Sequence, residues 1–419
     1  MKVFKFGGAS VKDAAAIRNV AAILSLNPEP LVVVVSAMGK TTNALEQIYG
    51  QAVAQNDFLT LLQALADYHL QVTHDLFPTD KQHLVFSSLN EQFAALQNYL
   101  PNLQPDLYDE QYDQVVSYGE IISSLLLYHY LAAENFKVTW QDCRTCICTD
   151  SNWREARVDW PQTEKCIQEQ VAPLLADKMV VTQGFLGGTT GQRTTTLGRE
   201  GSDFSGAIFA YSLAAESLTI WKDVAGFLNA DPKHFRNTFK YDEISYQETV
   251  EMAYYGASVI HPKTIKPLAN RHIPLYVKSF LHPTDPGTVI REIKHDKLVP
   301  AFIRKENQCI ISFSVRDFTF ISEKNLSVIF QALADLRFKI NLMQNSAISF
   351  SVCSDYDQNR LERLKERLQE QFIIHYNASL LLYTIKNYTE NSIDFLTVDK
   401  EILLEQRTRA TFQFVCRDH

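Results

Sequence analysis

Leu31-Val32-Val33-Val34-Val35 is the stretch that most narrows what this chain can become. A continuous apolar run rich in β-branched residues suits a strand covered on both faces, and such strands belong to parallel sheets wrapped by helices. Its surroundings agree. Val3–Phe6 reads as a short strand ending at Gly7-Gly8, and Asp13–Leu26 as a helix, giving the strand–helix–strand unit of an α/β fold. Val180–Thr182, Leu218–Trp221 and Ile273–Val277 read as further strands, and Ser205–Ala214 as a helix. Of the 15 glycines, seven fall between Gly184 and Gly206 and none between Gln51 and Tyr118. The glycine-free stretch has Phe58, Leu61, Leu62 and Leu65 at helical spacing. It predicts a helical insert, about 51–130, laid over one face of the sheet.

The pattern changes after His282–Gly287, a turn-rich border. Cys309–Val315 reads as a strand, Lys324–Leu336 as a helix, Lys339–Met343 and Ala347–Cys353 as strands, and Asp357–Glu370 as a charged helix. Ile373–Tyr376, Leu380–Ile385 and Thr411–Val415 read as strands. This is a βαββαβ, ferredoxin-like order, without glycine after Gly287 and so without a phosphate-cradling loop. It predicts a separate sensing or dimerising module over 300–419, beside an α/β domain over 1–290.

The 419 residues leave room for two or three domains. Lys plus Arg is 40 against 48 Asp plus Glu, a net charge of −8, which argues against a nucleic-acid or anionic-membrane binder. No apolar run approaches the ~20 residues of a membrane span, and Gly7-Gly8 interrupts any signal-peptide core. A cytoplasmic protein is expected. Seven cysteines, an odd number, do not make a disulfide framework. Cys143-x-x-Cys146 has no matching second pair, so reduced thiols are expected rather than zinc.

Two phosphate signatures fail. Gly39-Lys40-Thr41 resembles a P-loop end, but Val34 stands where its first glycine is required, and no G-x-G-x-x-G follows a strand. Other segments remain open between a chemical and a structural role. Lys5-Phe6-Gly7-Gly8 sets a lysine and two glycines at a strand-to-helix turn, suited to phosphate oxygens or simply a βα turn. In Gly198-Arg199-Glu200-Gly201-Ser202-Asp203, the arginine offers a fork for a carboxylate. Asp203 can orient a lysine or hold a metal. Glu120, in Ser117-Tyr118-Gly119-Glu120, opens an apolar run and can grip an ammonium or merely favour a helix N-terminus. Thr42 and Asn43 follow the second strand as ligand contacts or helix caps. Trp221–Phe227 and Asn229–Lys233 offer aromatic, cationic and acidic groups for a nucleotide. His261, before Pro262, reads as structural.

Taken in order, Lys-Phe-Gly-Gly, Ser-Ala…Thr-Asn, Ser-Tyr-Gly-Glu, Gly-Arg-x-Gly-Ser-Asp, Lys-Asp-Val-x-Gly, Ala-Asp-Pro and Gly-Ala-x-Val-x-His-Pro resemble the aspartate kinase (aspartokinase) family over the whole chain. The resemblance implies an amino-acid-kinase three-layer sandwich with a mainly parallel sheet, followed by a C-terminal α+β ACT region. It implies ATP-dependent phosphorylation of the β-carboxylate of L-aspartate with Mg²⁺, the step that opens lysine, threonine and methionine biosynthesis. It assigns Lys5, Gly7 and Gly8 to the ATP phosphates and Asp203 to organising Lys5. Thr42, Glu120, Arg199 and Ser202 fall to aspartate, with Glu120 on its ammonium and Arg199 on its α-carboxylate. Lys222, Asp223, Phe227, Lys233 and Ser258 fall to the nucleotide.

Ala9 replaces the usual threonine after Gly-Gly, and Ser258 the lysine common before Val-x-His-Pro. Lys222 is then expected to supply the missing charge. Phe227 stands where tyrosine is common, and Lys233 where arginine is. The family implies a homodimer or larger homo-oligomer, with lysine or threonine binding at Asn341, Gln344, Asn345 and Ser346. Its second ACT unit is expected to be shortened here, with Val398–Leu404 as its only helix. A monofunctional enzyme is expected, as no homoserine dehydrogenase segment follows. The competing expectations are an amino acid kinase for another substrate and an inactive amino-acid sensor.

Overall fold

The computed structural model describes residues 1–27, 30–80, 82–257, 260–294, 299–316 and 319–417. They fall into two compact units: Met1–Phe227 with Lys240–Val250 and the described residues of 259–294, and the described residues of 228–239, 251–258 and 295–419.

The first unit is built on an eight-stranded sheet. Its strands are β1 (Lys2–Phe6), β2 (Leu31–Val35), β3 (Val138–Gln141), β4 (Met179–Gln183), β7 (Ser217–Lys222), β8 (Glu243–Ser245), β9 (Leu275–Ser279) and β10 (Thr288–Arg291), and a separate hairpin, β5 (Leu186–Gly188) with β6 (Thr194–Thr196), lies between β4 and β7 in sequence. The order is β3-β4-β2-β1-β7-β9-β10-β8, parallel except for the β9–β10 pair. All five residues of β2 are buried, as expected of a central strand with both faces covered. Alternation along β1 divides the layers: Phe4 and Phe6 join the core formed with Val33, Val35 and helical residues such as Ile17, Leu45 and Leu126, while Lys5 points to the other face.

The helices of this unit are α1 (Ala14–Ser25), α2 (Thr41–Val53), α3 (Leu59–Leu76), α4 (Leu84–Tyr99), α5 (Tyr108–Val116), α6 (Tyr118–Ala133), α7 (Trp160–Gln170) and α8 (Gly201–Ser212). Two more follow, α9 (Tyr246–Tyr255), whose later residues belong to the second unit, and α10 (Pro262–Asn270). The glycine-free stretch is indeed helical, and its Leu62, Leu65, Val85, Leu89 and Phe93 are buried in the same core as β2.

The second unit carries a six-stranded antiparallel sheet in the order β12-β13-β11-β14-β16-β15. The strands are β11 (Ala301–Val315), β12 (Ile340–Asn345), β13 (Ser349–Asp355), β14 (Phe372–Lys386), β15 (Ile402–Arg407) and β16 (Thr411–Arg417), with helices α11 (Glu323–Asp335), α12 (Gln358–Leu368) and α13 (Glu390–Thr397). Helices α11 and α12 bury Ile329, Leu333, Leu361 and Leu364 against Ile311, Phe313 and Val352. The order β11-α11-β12-β13-α12-β14 is the ferredoxin-like one.

Two expectations are corrected here. Ile373–Tyr376 and Leu380–Ile385 are one strand, β14, and its partner β11 begins at Ala301; the pairing shifts register around Gln308, with Asn307 and Ser379 in left-handed backbone (φ 52 and 56). Val398–Leu404 is not a helix. The helix lies earlier, at Glu390–Thr397, because Thr389 and Ser392 form a reciprocal capping box, and Ile402–Leu404 pairs with β16 instead. No described helix is long and apolar enough to cross a membrane.

Candidate active site

The carboxyl ends of β1, β2 and β7 meet at one edge of the first sheet. Lys5 lies opposite Val34 and Ile220 in register, one residue before the strand ends. The chain then turns tightly at Gly7-Gly8. A Cβ on Gly8 would sit 2.7 Å from the Ala37 carbonyl oxygen, so only glycine lets this turn pack against the turn after β2. The Gly39 N–H donates to the Gly8 carbonyl at 3.0 Å and locks the two turns together.

Opposite Lys5 stands the first turn of α8. Lys5 Nζ lies 2.6 Å from Asp203 Oδ1, and Lys222 Nζ, at the end of β7, lies 3.2 Å from Asp203 Oδ2. Lys5 is 6% exposed and Asp203 3%. Burial alone would raise the Asp203 carboxyl, but Lys5 and then Lys222 outweigh it and hold the group below the ordinary carboxylate range. The site therefore keeps two ammonium groups around a single ionised carboxylate.

Glu120 occupies the first turn of α6 and is 3% exposed. Gly119 makes room for it: a Cβ there would meet the Ala37 Cβ at 2.9 Å. The Ala37 N–H donates to Glu120 Oε1 at 3.2 Å, while Oε2 is buried without a partner. Burial pushes the carboxyl up to about 8, against the pull of the Ala37 hydrogen bond and of Lys5. A buried carboxylate with an open oxygen suits a cation brought by a ligand.

The other predicted residues distribute as follows. Thr42 is half-buried in the first turn of α2, and Ser202 is half-buried beside Asp203. Arg199 is exposed on the loop before α8. Gly7 lies under the Lys5 ammonium, 3.7 Å from its added Cβ position. Asp223 is exposed after β7, whereas Phe227 is fully buried, its N–H donating to Thr288 Oγ1 at 2.8 Å. Lys233 is exposed and belongs to the second unit. Ser258 lies outside the described residues. On β12, Asn341 accepts from Lys305 Nζ at 2.9 Å and donates to Gln308 and Asp355. Gln344, Asn345 and Ser346 are exposed at the end of that edge strand, with Ser346 bonded to Ser349.

Two residues escaped the sequence reading. Glu200, the variable letter of its motif, adopts left-handed backbone (φ 53) at the N-cap of α8. Burial raises its carboxyl, Lys222 opposes, and its Oε2 has no partner. Its side-chain chemistry was the available signal. Lys263 donates from α10 to the Leu197 carbonyl at 2.8 Å, a pairing 66 residues apart that no local pattern announces. The seven cysteines are free thiols, with Cys148 and Cys166 in contact at 3.8 Å.

Comparison with known proteins matches this architecture to a family. Residues 1–279 match the amino acid kinase family. The chain is 30% identical over 382 residues to bifunctional aspartokinase/homoserine dehydrogenase 2 of Arabidopsis thaliana, covering 88% of this chain but only 42% of that protein. It is 30% identical over 355 residues to lysine-sensitive aspartokinase 3 of Escherichia coli, covering 84% of this chain and 78% of that one. In fold it matches E. coli aspartokinase III, crystallised with aspartate and ADP in the R-state, with a TM-score of 0.83 and 24% identity over 100% of this chain and 96% of that one. Sequence and fold together place the chain in the amino acid kinase family, among the aspartokinases.

Proposed function

We propose that this protein is an ATP-dependent aspartate kinase, forming 4-phospho-L-aspartate and ADP at the head of the route to lysine, threonine and methionine. The single observation that carries this is the Lys5–Asp203–Lys222 cluster at the sheet edge, supported by the aspartokinase relatives.

Phosphoryl transfer needs positioning and charge neutralisation more than covalent chemistry by the protein. The substrate's own β-carboxylate is the nucleophile. Lys5 and Lys222 meet the negative charge of the transferring group, and Asp203 holds both ammoniums in place before the nucleotide arrives. Donors fixed in this way are worth roughly 3 kcal/mol or more each. Gly7 and Gly8 let backbone approach the phosphates. Glu120 takes the substrate ammonium, Arg199 its α-carboxylate, and Thr42 and Ser202 complete the substrate contacts. Asp223, Phe227, Lys233 and Ser258 are assigned to the nucleotide.

Among the described residues no three His, Cys, Asp or Glu side chains form a metal-holding group. Mg²⁺ in phosphoryl-transfer sites is held largely by the substrate phosphates with one or two carboxylates. Asp203 is committed to lysines, so Glu200, with its buried open oxygen, is the residue that would hold it. The ion would neutralise phosphate charge. The second unit is assigned to regulation by lysine, or threonine, through Asn341, Gln344, Asn345 and Ser346, in a homodimer or larger homo-oligomer.

The test is ADP release across candidate amino acids and phosphate acceptors, with and without lysine and threonine, with hydroxylamine trapping of the acyl phosphate. Trapped product with L-aspartate alone is the expected result. Release with a different acceptor, or with none, would sink the assignment.

A further inference from the structure

We infer that Lys263 is a positioning residue for the carboxylate substrate: it reaches from α10 to fix the loop 197–203 that carries Arg199, Ser202 and Asp203. The inference rests on the aspartate kinase reading for its kinetic consequence only.

Lys263 touches the loop at both ends. Its Nζ donates to the carbonyl of Leu197, the first residue of that segment, at 2.8 Å, and lies 5.8 Å from the ring of Phe204, the residue after its last. The base of Lys263 is itself fixed, because its N–H donates to the His261 ring, the N-cap of α10, at 3.2 Å. Burial lowers its ammonium, with Glu155 and then Glu200 opposing.

The segment it spans needs such a support. Gly198 and Glu200 both adopt left-handed backbone (φ 71 and 53), a conformation that a non-glycine residue keeps only where its surroundings enforce it. The Leu197 N–H donates to Phe185 at 2.8 Å and the Gly201 N–H to Gly198 at 2.9 Å. Those bonds fix the backbone donors, and Lys263 takes the Leu197 carbonyl. Arg199 is exposed, so its direction is set by the loop rather than by packing of its own side chain. A lysine that shapes this loop shapes the carboxylate fork.

The experiment uses the full chain with Lys263→Met and Lys263→Arg. Amide hydrogen exchange over 198–203 and steady-state kinetics are measured together. In Lys263→Met the loop amides exchange about tenfold faster, and the aspartate KM rises about tenfold, as expected on losing a charge-assisted hydrogen bond. The ATP KM stays within about twofold and Tm is retained, while Lys263→Arg recovers most of the aspartate affinity. Unchanged exchange and unchanged aspartate KM in Lys263→Met would overturn the inference. So would an equal rise in both KM values together with a lowered Tm, which marks general destabilisation. Should Lys263→Met not fold, Lys263→Gln, too short to span the same gap, takes its place with the same outcomes. The exchange measurement needs no substrate. A wild-type protein that releases no ADP with aspartate therefore fails the functional proposal without deciding the role of Lys263.

Discussion

Each unit holds a lysine in its sheet, and the two are handled in opposite ways. Lys5 faces a fully buried carboxylate that a second ammonium, Lys222, also approaches. Lys305 faces a neutral amide: its Nζ donates to Asn341 Oδ1, and Asn341 passes its own N–H groups to Gln308 and Asp355. Burial, and after it the neighbouring Lys339, lowers the Lys305 ammonium, with Asp355 opposing. The Lys305 network runs on within the sheet, with Gln308 in turn donating to Asp355 at 2.8 Å. In the Lys5 cluster two ammoniums converge on the one carboxylate of Asp203, and Lys222 also acts on Glu200. A buried ion pair is weak evidence of stability in its own right; one that gathers two ammoniums at strand ends is better read as a prepared site.

That contrast breaks first, and most visibly, at Lys5. Lys5→Met should lower turnover by about a thousandfold with the fold retained, since oriented charge of this kind is worth roughly 3–4 kcal/mol. Circular dichroism and the coupled assay measure both halves. Lys305→Met should leave turnover within about twofold. Equal losses in the two variants would erase the distinction between a prepared site and a structural network.

Glu120 sharpens it by about tenfold in aspartate KM. Its carboxyl is raised from 4.5 to about 8 by burial. The folded protein thus holds this proton where the unfolded chain releases it. Its stabilising contribution is complete below the unfolded value and disappears as pH rises through about 8. Substrate acts in the opposite sense: an ammonium favours the ionised form, so aspartate KM should fall as pH rises from about 6 to about 8. In Glu120→Gln that slope should flatten and KM at high pH should rise about tenfold. A KM profile identical in both proteins would remove Glu120 from the ammonium site.

The smallest effect is expected in the second unit. Lys305→Met leaves Asn341 Oδ1 without its donor, at about 1–2 kcal/mol. Calorimetry should show that unit melting a few degrees lower. An unchanged melt would mean that water replaces the ammonium without loss.

Most of the parallel sheet was readable because β2 is apolar throughout and its glycine-rich neighbours mark the turns. The cluster itself was readable only in part. Lys5, Asp203 and Lys222 stand out by type and by their positions at element ends, but that both lysines share one carboxylate depends on β1 and β7 being adjacent, a pairing of residues some 215 apart. Phe227 drew attention as an aromatic residue after a strand, but the contacts that hold it, the Thr288 hydroxyl on its N–H and the Tyr241 ring, come from segments distant in sequence that no local pattern announces. In the second unit β15 was missed and β14 was cut in two, since polar Asn377 and Ser379 interrupt its apolar pattern while its backbone pairing continues. Val398–Leu404 was misjudged because apolar residues set around Asp399, Lys400 and Glu401 look helical, whereas the capping box at Thr389 starts the helix eight residues earlier, at Glu390.

The placement of Lys5 on β1, flanked on both sides by parallel neighbours, ties chemistry to cooperativity. Central strands are among the last segments to open in native-state fluctuations. Fraying of the chain ends or of surface helices leaves such a residue where it was, and no partly opened form retains the others while losing it. Displacement of Lys5 during chemical denaturation should therefore coincide with global melting of the first unit rather than precede it.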